Sequence, residues 1–142
     1  MSARLLIVDD EVEIREMLSR HYRLMGYEVD LAANGRDALE VLAAKRIDVV
    51  ISDIMMPEMN GVDLLKAIRE QYPMLRVIMI TRYVTLDNAL ACMRHQADTC
   101  VFKPLDDLSE LDSAVGLALD GLRQWQQKLR DLQGMKPATK EA

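Results

Sequence analysis

One acidic residue of this chain, Asp53, ends a short and mostly apolar segment, residues 49–53, in which β-branched residues are frequent. Such a segment is typical of a fully buried strand. The turn-forming residues Pro57, Asn60 and Gly61 follow closely and prevent the strand from continuing. An acidic side chain at the end of a buried strand is exposed at one edge of a sheet and held rigidly by its neighbours. The position of Asp53 therefore predicts a reactive or ligand-binding carboxylate.

Polar side chains end three further apolar segments in the same way. They are Asp9 and Asp10 after the first segment, Thr81 after the fourth and Lys103 after the fifth. Carboxylates that crowd together repel one another unless a cation lies between them, and all-oxygen ligands suit Mg²⁺ or Mn²⁺. A hydroxyl and an ammonium group opposite them suit a phosphoryl group, whose charge needs donors. These residues predict a carboxylate nucleophile, a hard metal ion and a phosphate-binding site.

Five predicted strands alternate with five predicted helices along the chain. The strands are expected at 4–8, 27–32, 49–53, 76–80 and 99–102, and the helical patterns cover 14–25, 38–45, 62–71, 86–95 and 107–133. This alternation predicts an α/β fold, a doubly wound five-stranded parallel sheet with helices on both faces and an extended C-terminal helix. Ligands bind outside the carboxyl ends of the strands in such sheets, so the candidate residues are expected at one edge.

Composition excludes several classes of protein. The chain has 142 residues, half of them hydrophobic, and a net charge of -5, which argues against direct binding of nucleic acid because phosphate contacts need clustered Lys and Arg. The sequence contains neither a membrane span nor a signal-peptide pattern, so a cytoplasmic protein without a membrane partner is expected. Cys92 and Cys100 are therefore predicted to be reduced thiols.

The ordered set of strand-end residues resembles the receiver domain of two-component response regulators, the family of the chemotaxis protein CheY, whose fold is flavodoxin-like. The resemblance covers roughly residues 4–120. Its marks are the Asp9-Asp10 pair, Asp53 followed by Met55-Met56-Pro57 and Gly61, Thr81, and Lys103-Pro104. It divides the chain into a receiver domain over 1–120 and a helical extension with a disordered tail over 121–142.

The resemblance implies that Asp53 accepts a phosphoryl group from the phosphohistidine of a sensor histidine kinase or a phosphotransfer protein. It also implies a Mg²⁺ ion, replaceable by Mn²⁺, near the phosphoacceptor. Asp10 would bind the ion directly, Asp9 would bind it through water, and Asp53 and the backbone carbonyl of Met55 would complete the protein ligands. Chemistry is expected only as self-phosphorylation and self-dephosphorylation, so the chain is not predicted to be an enzyme in its own right.

The remaining site residues have implied roles in holding and reading the phosphoryl group. Lys103 would pair with the phosphate, Thr81 would move to hydrogen-bond it, and the Lys103-Pro104 peptide bond would be cis. Asp10 has Glu13 three residues after it and is also expected to cap the first helix.

Five positions depart from the family pattern or modulate it. Cys100 stands where the family usually has an aromatic switch residue, and Phe102, on the same strand face, is a candidate to take over part of the readout. Arg82 is large where a small residue is usual, and it either contacts the phosphate or is simply solvated. Met55 and Tyr83 flank the approach of a hydrolytic water and are not good general bases, which predicts slow self-dephosphorylation.

Two alternative functions compete with a phosphorylation switch. A phosphatase of the haloacid-dehalogenase type would use Asp53 as its nucleophile, but it needs a second acid where Met55 stands. A pseudo-receiver would bind proteins without being phosphorylated, and the complete set of acceptor, metal and lysine residues argues against it. The output domain or partner and the pathway are not specified by the sequence. The chain is either a stand-alone regulator or a fragment of a longer one.

The long C-terminal helical pattern carries an apolar seam of alternating three- and four-residue steps. The seam consists of Leu108, Leu111, Val115, Ala118, Leu122, Trp125, Leu129 and Leu132. Its first half is expected to pack on the sheet, whereas its second half extends beyond the domain and predicts a homodimer through the helix. The alternative is a helix that folds back and buries Trp125 within one chain.

Overall fold

A computed structural model of the chain describes residues 2–82 and 85–135. It contains a five-stranded parallel sheet with the strand order β2-β1-β3-β4-β5. The strands are β1 (Arg4–Val8), β2 (Glu28–Ala32), β3 (Val49–Asp53), β4 (Arg76–Thr81) and β5 (Thr99–Phe102). The helices are α1 (Val12–Leu24), α2 (Gly35–Ala44), α3 (Gly61–Gln71), α4 (Leu86–Arg94) and α5 (Ser109–Gly134). The predicted fold class is confirmed, and every predicted element is present.

Two apolar cores lie on opposite faces of the sheet. One core contains Leu18 of α1 and Val115 of α5, which pack on one face of the sheet. The other contains Leu42 of α2 and Leu65 of α3, which pack on the opposite face. The central strand β3 is buried along its whole length because it is covered on both faces and paired with β1 and β4. This burial fixes the position of Asp53 at its carboxyl end.

Helix α1 buries the predicted face but differs from its prediction at its C-terminal end. Leu24 and Met25 were expected on the apolar face, but Leu24 is 87% exposed and Met25 is also exposed, whereas Tyr22 is fully buried. The helix ends at Leu24, so the periodic pattern was extended one step beyond the point where the helix still contacts the sheet. The aromatic ring of Tyr22 packs against that of Tyr27, the residue before β2.

The start of α1 also corrects a prediction. Asp10 does not cap the helix, because the N-cap residue is Glu11 and no side chain makes a capping hydrogen bond there. Instead the buried Asp9 accepts a hydrogen bond from the backbone N–H of Glu11 through Oδ1, at 2.9 Å. The first helix is therefore attached directly to the strand end that carries the acidic pair.

Helix α5 is one continuous helix of 26 residues that passes the expected domain boundary at residue 120. Its first half packs on the sheet as predicted, and the exposed seam residues beyond it are Trp125, Leu129 and Leu132. Gly134 belongs to the helix and not to the tail that was expected to begin there. The rest of the predicted tail, 136–142, lies outside the described residues. Across the part of the chain that the structure describes, no helix has the length and apolar character needed to cross a membrane.

Candidate functional site

The Asp53 carboxylate lies at the carboxyl end of the central strand and is only 5% exposed. Its Oδ1 atom accepts a hydrogen bond from the backbone N–H of Met55 at 3.2 Å, and its Oδ2 atom accepts one from Lys103 Nζ at 3.0 Å. Both oxygens are therefore oriented by groups from different segments of the chain. The carboxylate faces a cavity of about 170 Å³ that is lined by Asp10, Glu11, Asp53, Met55, Arg82 and Lys103.

Three predicted acidic residues meet beside this cavity. One carboxylate oxygen from each of Asp9, Asp10 and Asp53 lies within 4.8 Å of the others. Asp9 is fully buried and Asp10 is exposed, so the cluster is open to solvent on one side. Their proximity was predicted from the sequence, because the carboxyl ends of neighbouring parallel strands meet at one edge of the sheet.

The acidic cluster fits a hard cation. All of its donors are carboxylate oxygens, which is the ligand type that Mg²⁺ and Mn²⁺ prefer. The buried Asp9 Oδ2 atom accepts no hydrogen bond from the described residues. It forms an ion pair with Lys103 Nζ at 2.9 Å. Burial raises the pKa of Asp9, and the hydrogen bond from the Glu11 N–H and the proximity of Lys103 offset part of this rise. A cation at the cluster would relieve the repulsion among these carboxylates.

Lys103 is the buried cation of the site, with a side chain that is 2% exposed. Its ammonium lies 2.9 Å from Asp9, 2.7 Å from Glu11 and 3.0 Å from Asp53. Burial alone would lower the pKa of this lysine, but the three carboxylates raise it above its usual value. Lys103 is therefore held protonated, which is the state that can neutralise an anion on Asp53.

The backbone after β5 positions this lysine. The N–H of Lys103 donates to the carbonyl oxygen of Thr81 at 2.8 Å, which joins the ends of β4 and β5. The predicted cis bond between Lys103 and Pro104 is confirmed. Thr81 itself is fully buried at the end of β4, beside Phe102 in the strand register. The structure thus brings all the strand-end candidates of the sequence to one edge.

Glu11 is a site residue that sequence reasoning missed. Its Oε2 atom is 2.7 Å from Lys103 Nζ, and its Oε1 atom is 3.5 Å from Arg82 Nη2. The hydrogen bond from Lys103 lowers the pKa of the Glu11 carboxyl. Partial burial opposes this shift, and the charges of Lys103 and Arg82 add to it. Its position directly after the acidic pair was a signal, but its partner lies 92 residues away along the chain.

The proposed readout residues occupy different environments. Cys100 is partly buried and packs against the core on the α2–α4 face, whereas Phe102 is 58% exposed. Burial, helped by nearby Cys92, Glu110 and Asp53, raises the pKa of the Cys100 thiol to about 11. Cys92 and Cys100 are free thiols, as predicted. Tyr83 lies outside the described residues.

Comparison with known proteins decides the family. A family model described as the response regulator receiver domain matches residues 5–116 of the chain. The chain belongs to this family. Solved receiver domains share its fold: a CheY-like response regulator receiver domain protein from Methanospirillum hungatei JF-1 superposes with a TM-score of 0.84 at 28% identity, over 87% of this chain and 98% of that chain.

A second solved structure bears on the acidic cluster. The response regulator protein TrrA from Thermotoga maritima, solved in complex with Mg(2+)-BeF, has a TM-score of 0.74 and 34% identity to this receiver domain. The match covers 82% of this chain and 98% of that one. The complex with Mg(2+)-BeF is a property of that protein.

The curated relatives of this receiver domain are longer proteins. The regulatory protein AtoC of Escherichia coli K12 is 42% identical over 91% of this chain and 28% of its own length. The DNA-binding transcriptional regulator NtrC of the same strain is 38% identical over 94% of this chain and 28% of its own length. The chain thus spans less than a third of these relatives, and the expected lack of a nucleic-acid partner stays a prediction for these residues alone.

Proposed function

We propose that this receiver domain is a phosphorylation-dependent signalling switch in which Asp53 accepts a phosphoryl group in a Mg²⁺-dependent reaction. One observation carries the proposal: the buried Asp53 carboxylate has a protonated lysine at 3.0 Å and two further carboxylates within 4.8 Å. Receiver domains work in two-component systems, so the donor would be a sensor histidine kinase or a phosphotransfer protein in the cytoplasm. The signal would then be relayed by a conformational change to an output domain or partner.

The transfer needs little covalent chemistry from the protein. An Asp53 carboxylate oxygen forms a bond to phosphorus as the bond from phosphorus to the donor histidine nitrogen breaks, and the released imidazole keeps the electron pair. Met55 N–H and Lys103 hold the carboxylate in one orientation, and Lys103 balances the added negative charge. The switch would therefore have only self-phosphorylation and self-dephosphorylation activity.

A metal ion would be held by the residues that the cluster already brings together. Asp9, Asp10 and Asp53 would be its ligands, with the Met55 carbonyl as a further one, and Mn²⁺ would be able to replace Mg²⁺. When bound, the ion supplies positive charge to the phosphoryl oxygens. A pseudo-receiver without phosphorylation is the weaker alternative, because it gives no reason for a buried lysine among three carboxylates.

The test is chemical phosphorylation followed by intact mass. Incubation with acetyl phosphate or phosphoramidate and Mg²⁺ is expected to add one phosphoryl group to the unaltered chain and none to Asp53→Asn. Asp10→Ala should abolish the reaction and also the Mg²⁺-dependent binding of beryllofluoride. An adduct that persists in Asp53→Asn would reject Asp53 as the only acceptor. A chain that is never labelled would favour the pseudo-receiver.

The acyl phosphate is expected to be long-lived because Met55 shields it. The Met55 side chain lines the cavity beside Asp53 and carries no group able to orient a water molecule for attack. Met55→Asn should therefore shorten the lifetime of the phosphorylated chain by about tenfold, measured as the decay of the phosphorylated mass after the donor is removed. Tyr83→Glu is expected to act in the same direction. A short lifetime that neither substitution changes would contradict shielding.

A further inference from the structure

The Glu11 carboxylate joins two cations above the phosphoacceptor. One of its oxygens is 2.7 Å from Lys103 Nζ, and the other is 3.5 Å from Arg82 Nη2. Glu11, Arg82 and Lys103 all line the same cavity as Asp53. A single carboxylate therefore occupies the space between a buried and an exposed cation, next to the acid that the proposed function phosphorylates.

Three carboxylates surround the Lys103 ammonium in this arrangement. An ammonium group has three N–H donors, and three carboxylates, those of Asp9, Glu11 and Asp53, lie within 3.0 Å of Lys103 Nζ. A phosphoryl oxygen on Asp53 that reaches Lys103 competes with the contacts that Asp9 and Glu11 make to the same ammonium. Asp9 is completely buried, whereas the side chain of Glu11 is 41% exposed and is free to rotate into solvent. Glu11 is thus the group that is able to leave.

Charge favours the same exchange. A phosphoryl group and Glu11 are both anionic, and the cavity of about 170 Å³ brings them close enough to repel. Displacement of Glu11 also releases Arg82, whose guanidinium offers planar paired donors that match a phosphate group. The Arg82 side chain is 52% exposed, so it moves without disturbing the core.

We infer that the Glu11 carboxylate occupies the place of the phosphoryl group while Asp53 is not phosphorylated. Phosphorylation of Asp53 displaces Glu11, and Arg82 then contacts the phosphoryl oxygens as a second cation. In the resting state the carboxylate bridges Lys103 and Arg82 and so competes with the incoming anion. In the phosphorylated state the two cations hold the phosphoryl group together. This inference rests on the proposed function of Asp53. Glu11 acts here as a positioning residue, and Arg82 contacts the phosphoryl group directly.

The inference predicts opposite effects for the two residues. Glu11→Gln keeps the size of the side chain but removes the competing charge, so the affinity for beryllofluoride in the presence of Mg²⁺ should rise by about threefold to tenfold. Arg82→Gln removes the second cation, so the affinity should fall by a similar factor. Arg82→Lys should restore part of that loss. The gain from Glu11→Gln should be smaller in the Arg82→Gln background, because only the bond to Lys103 remains to be broken.

Beryllofluoride is a suitable probe because it binds a carboxylate as a tetrahedral analogue of a phosphoryl group, and ¹⁹F NMR measures its bound fraction. Two charge-matched controls separate the bridge from a general change in charge. Glu13→Gln alters an exposed acid in the first turn of α1, and Arg36→Gln alters an exposed cation in the first turn of α2, both at the same edge of the sheet. Each control should leave the affinity within about twofold of the unaltered chain.

Each outcome of the titration decides between the possibilities. The inference is overturned if Glu11→Gln leaves the affinity unchanged or lowers it, if Glu13→Gln raises it equally, or if Arg82→Gln has no effect, which would make Arg82 a solvated side chain. These results leave the proposed function intact as long as the unaltered chain binds beryllofluoride and Asp53→Asn does not. A chain that binds no beryllofluoride with Mg²⁺ would overturn the inference and the proposed function together.

Discussion

The Asp53 carboxylate depends on the close approach of a glycine. A Cβ atom added at Gly61 would overlap the carbonyl oxygen of Asp53 and lie 2.8 Å from the Cα atom of Ile54. The N–H of Gly61 also donates to the carbonyl oxygen of Ile54 at 2.8 Å, which holds the beginning of α3 against the end of β3. A side chain at position 61 therefore has to displace the backbone of the phosphoacceptor.

We predict that Gly61→Ala lowers the free energy of unfolding by about 2 kcal/mol or more, since backbone atoms have less freedom to move than side chains. Gly116→Ala is the matched control, because the added methyl group meets open space in the middle of α5 and alanine favours the helix by roughly 1 kcal/mol. Urea unfolding of both variants makes the comparison. Equal stability of the two would contradict the close approach at Gly61.

The Cys100 thiol makes stability depend on pH in a defined window. Its pKa is about 11 in the folded chain, against an ordinary value of 9.0, because the thiol is partly buried. Above pH 9 the unfolded chain loses this proton while the folded chain keeps it, so the contribution is present below pH 9 and is lost as the pH rises towards 11.

The free energy of unfolding of the unaltered chain, relative to that of Cys100→Ala, should fall by about 1 kcal/mol between about pH 8 and about pH 10. Urea unfolding at the two pH values measures it, and the comparison of the two chains cancels the other groups that titrate there. A difference in free energy of unfolding that is the same at both pH values would show that Cys100 ionises normally in the folded chain.

At the scale of elements, the strand ends were predictable, and α3 and α4 begin within one residue of their predicted starts, whereas the contacts made at the start of α1 were not predictable. The parallel sheet brings Asp53 and Lys103 to one edge whatever the details of the loops, so their spacing along the chain was sufficient. The role of Glu11 depends on contacts with Arg82 and Lys103, which no local pattern records. Tyr22 was missed for a related reason: helical periodicity gives the apolar face but not the residue at which packing on the sheet ends.

Side-chain caps begin three of the five helices in the described part of the chain. Asn34, Asn60 and Thr85 each accept a hydrogen bond from the backbone N–H three residues later. Asn60 is the one that closes the loop after Asp53, with its Oδ1 atom 2.9 Å from the N–H of Asp63. The beginning of α3 is therefore held by Asn60 as well as by the backbone contact of Gly61.

We predict that Asn60→Ala lowers the free energy of unfolding by about 1 kcal/mol, because an N–H of the first turn loses its partner. Asn60→Asp keeps an acceptor at the same place and should cost much less. Thermal or urea unfolding measures both, and an equal loss for the two variants would mean that the cap is not the cause. Phosphorylation at Asp53 should continue in both.

At the scale of the whole molecule, the first half of α5 packs on the sheet and the second half carries an exposed apolar surface. The seam residues Leu111, Val115 and Leu122 are buried against the domain. Leu122 and Leu129 also line a cavity of about 470 Å³ with Leu42, Ile47 and Tyr72, near the starts of the strands and away from Asp53. The helix therefore leaves the domain at the end opposite to the phosphoacceptor site.

The second half of the seam lies in solvent in a single chain. Trp125 is 57% exposed, Leu129 is 45% exposed and Leu132 is 62% exposed. The alternative in which the helix folds back and buries Trp125 within the same chain is therefore wrong. Polar and charged residues occupy the flanks of this stripe, namely Arg123, Gln124, Gln127, Lys128, Arg130 and Asp131. An apolar stripe with polar flanks is typical of a helix that pairs with a second helix.

We predict a weak homodimer through the exposed half of α5, strengthened by phosphorylation. Only Trp125, Leu129 and Leu132 remain available to a second copy, and fewer than two heptads of apolar contact should give association in the micromolar range. Sedimentation at several concentrations should show a mass that rises with concentration, and Trp125→Glu or Leu129→Glu should abolish the rise. Leu117→Glu alters a residue of α5 that lies outside the seam and is more exposed than the seam residues, and it should leave association unchanged. A monomer at every concentration, with or without phosphorylation, would reject the dimer and leave the stripe to another partner.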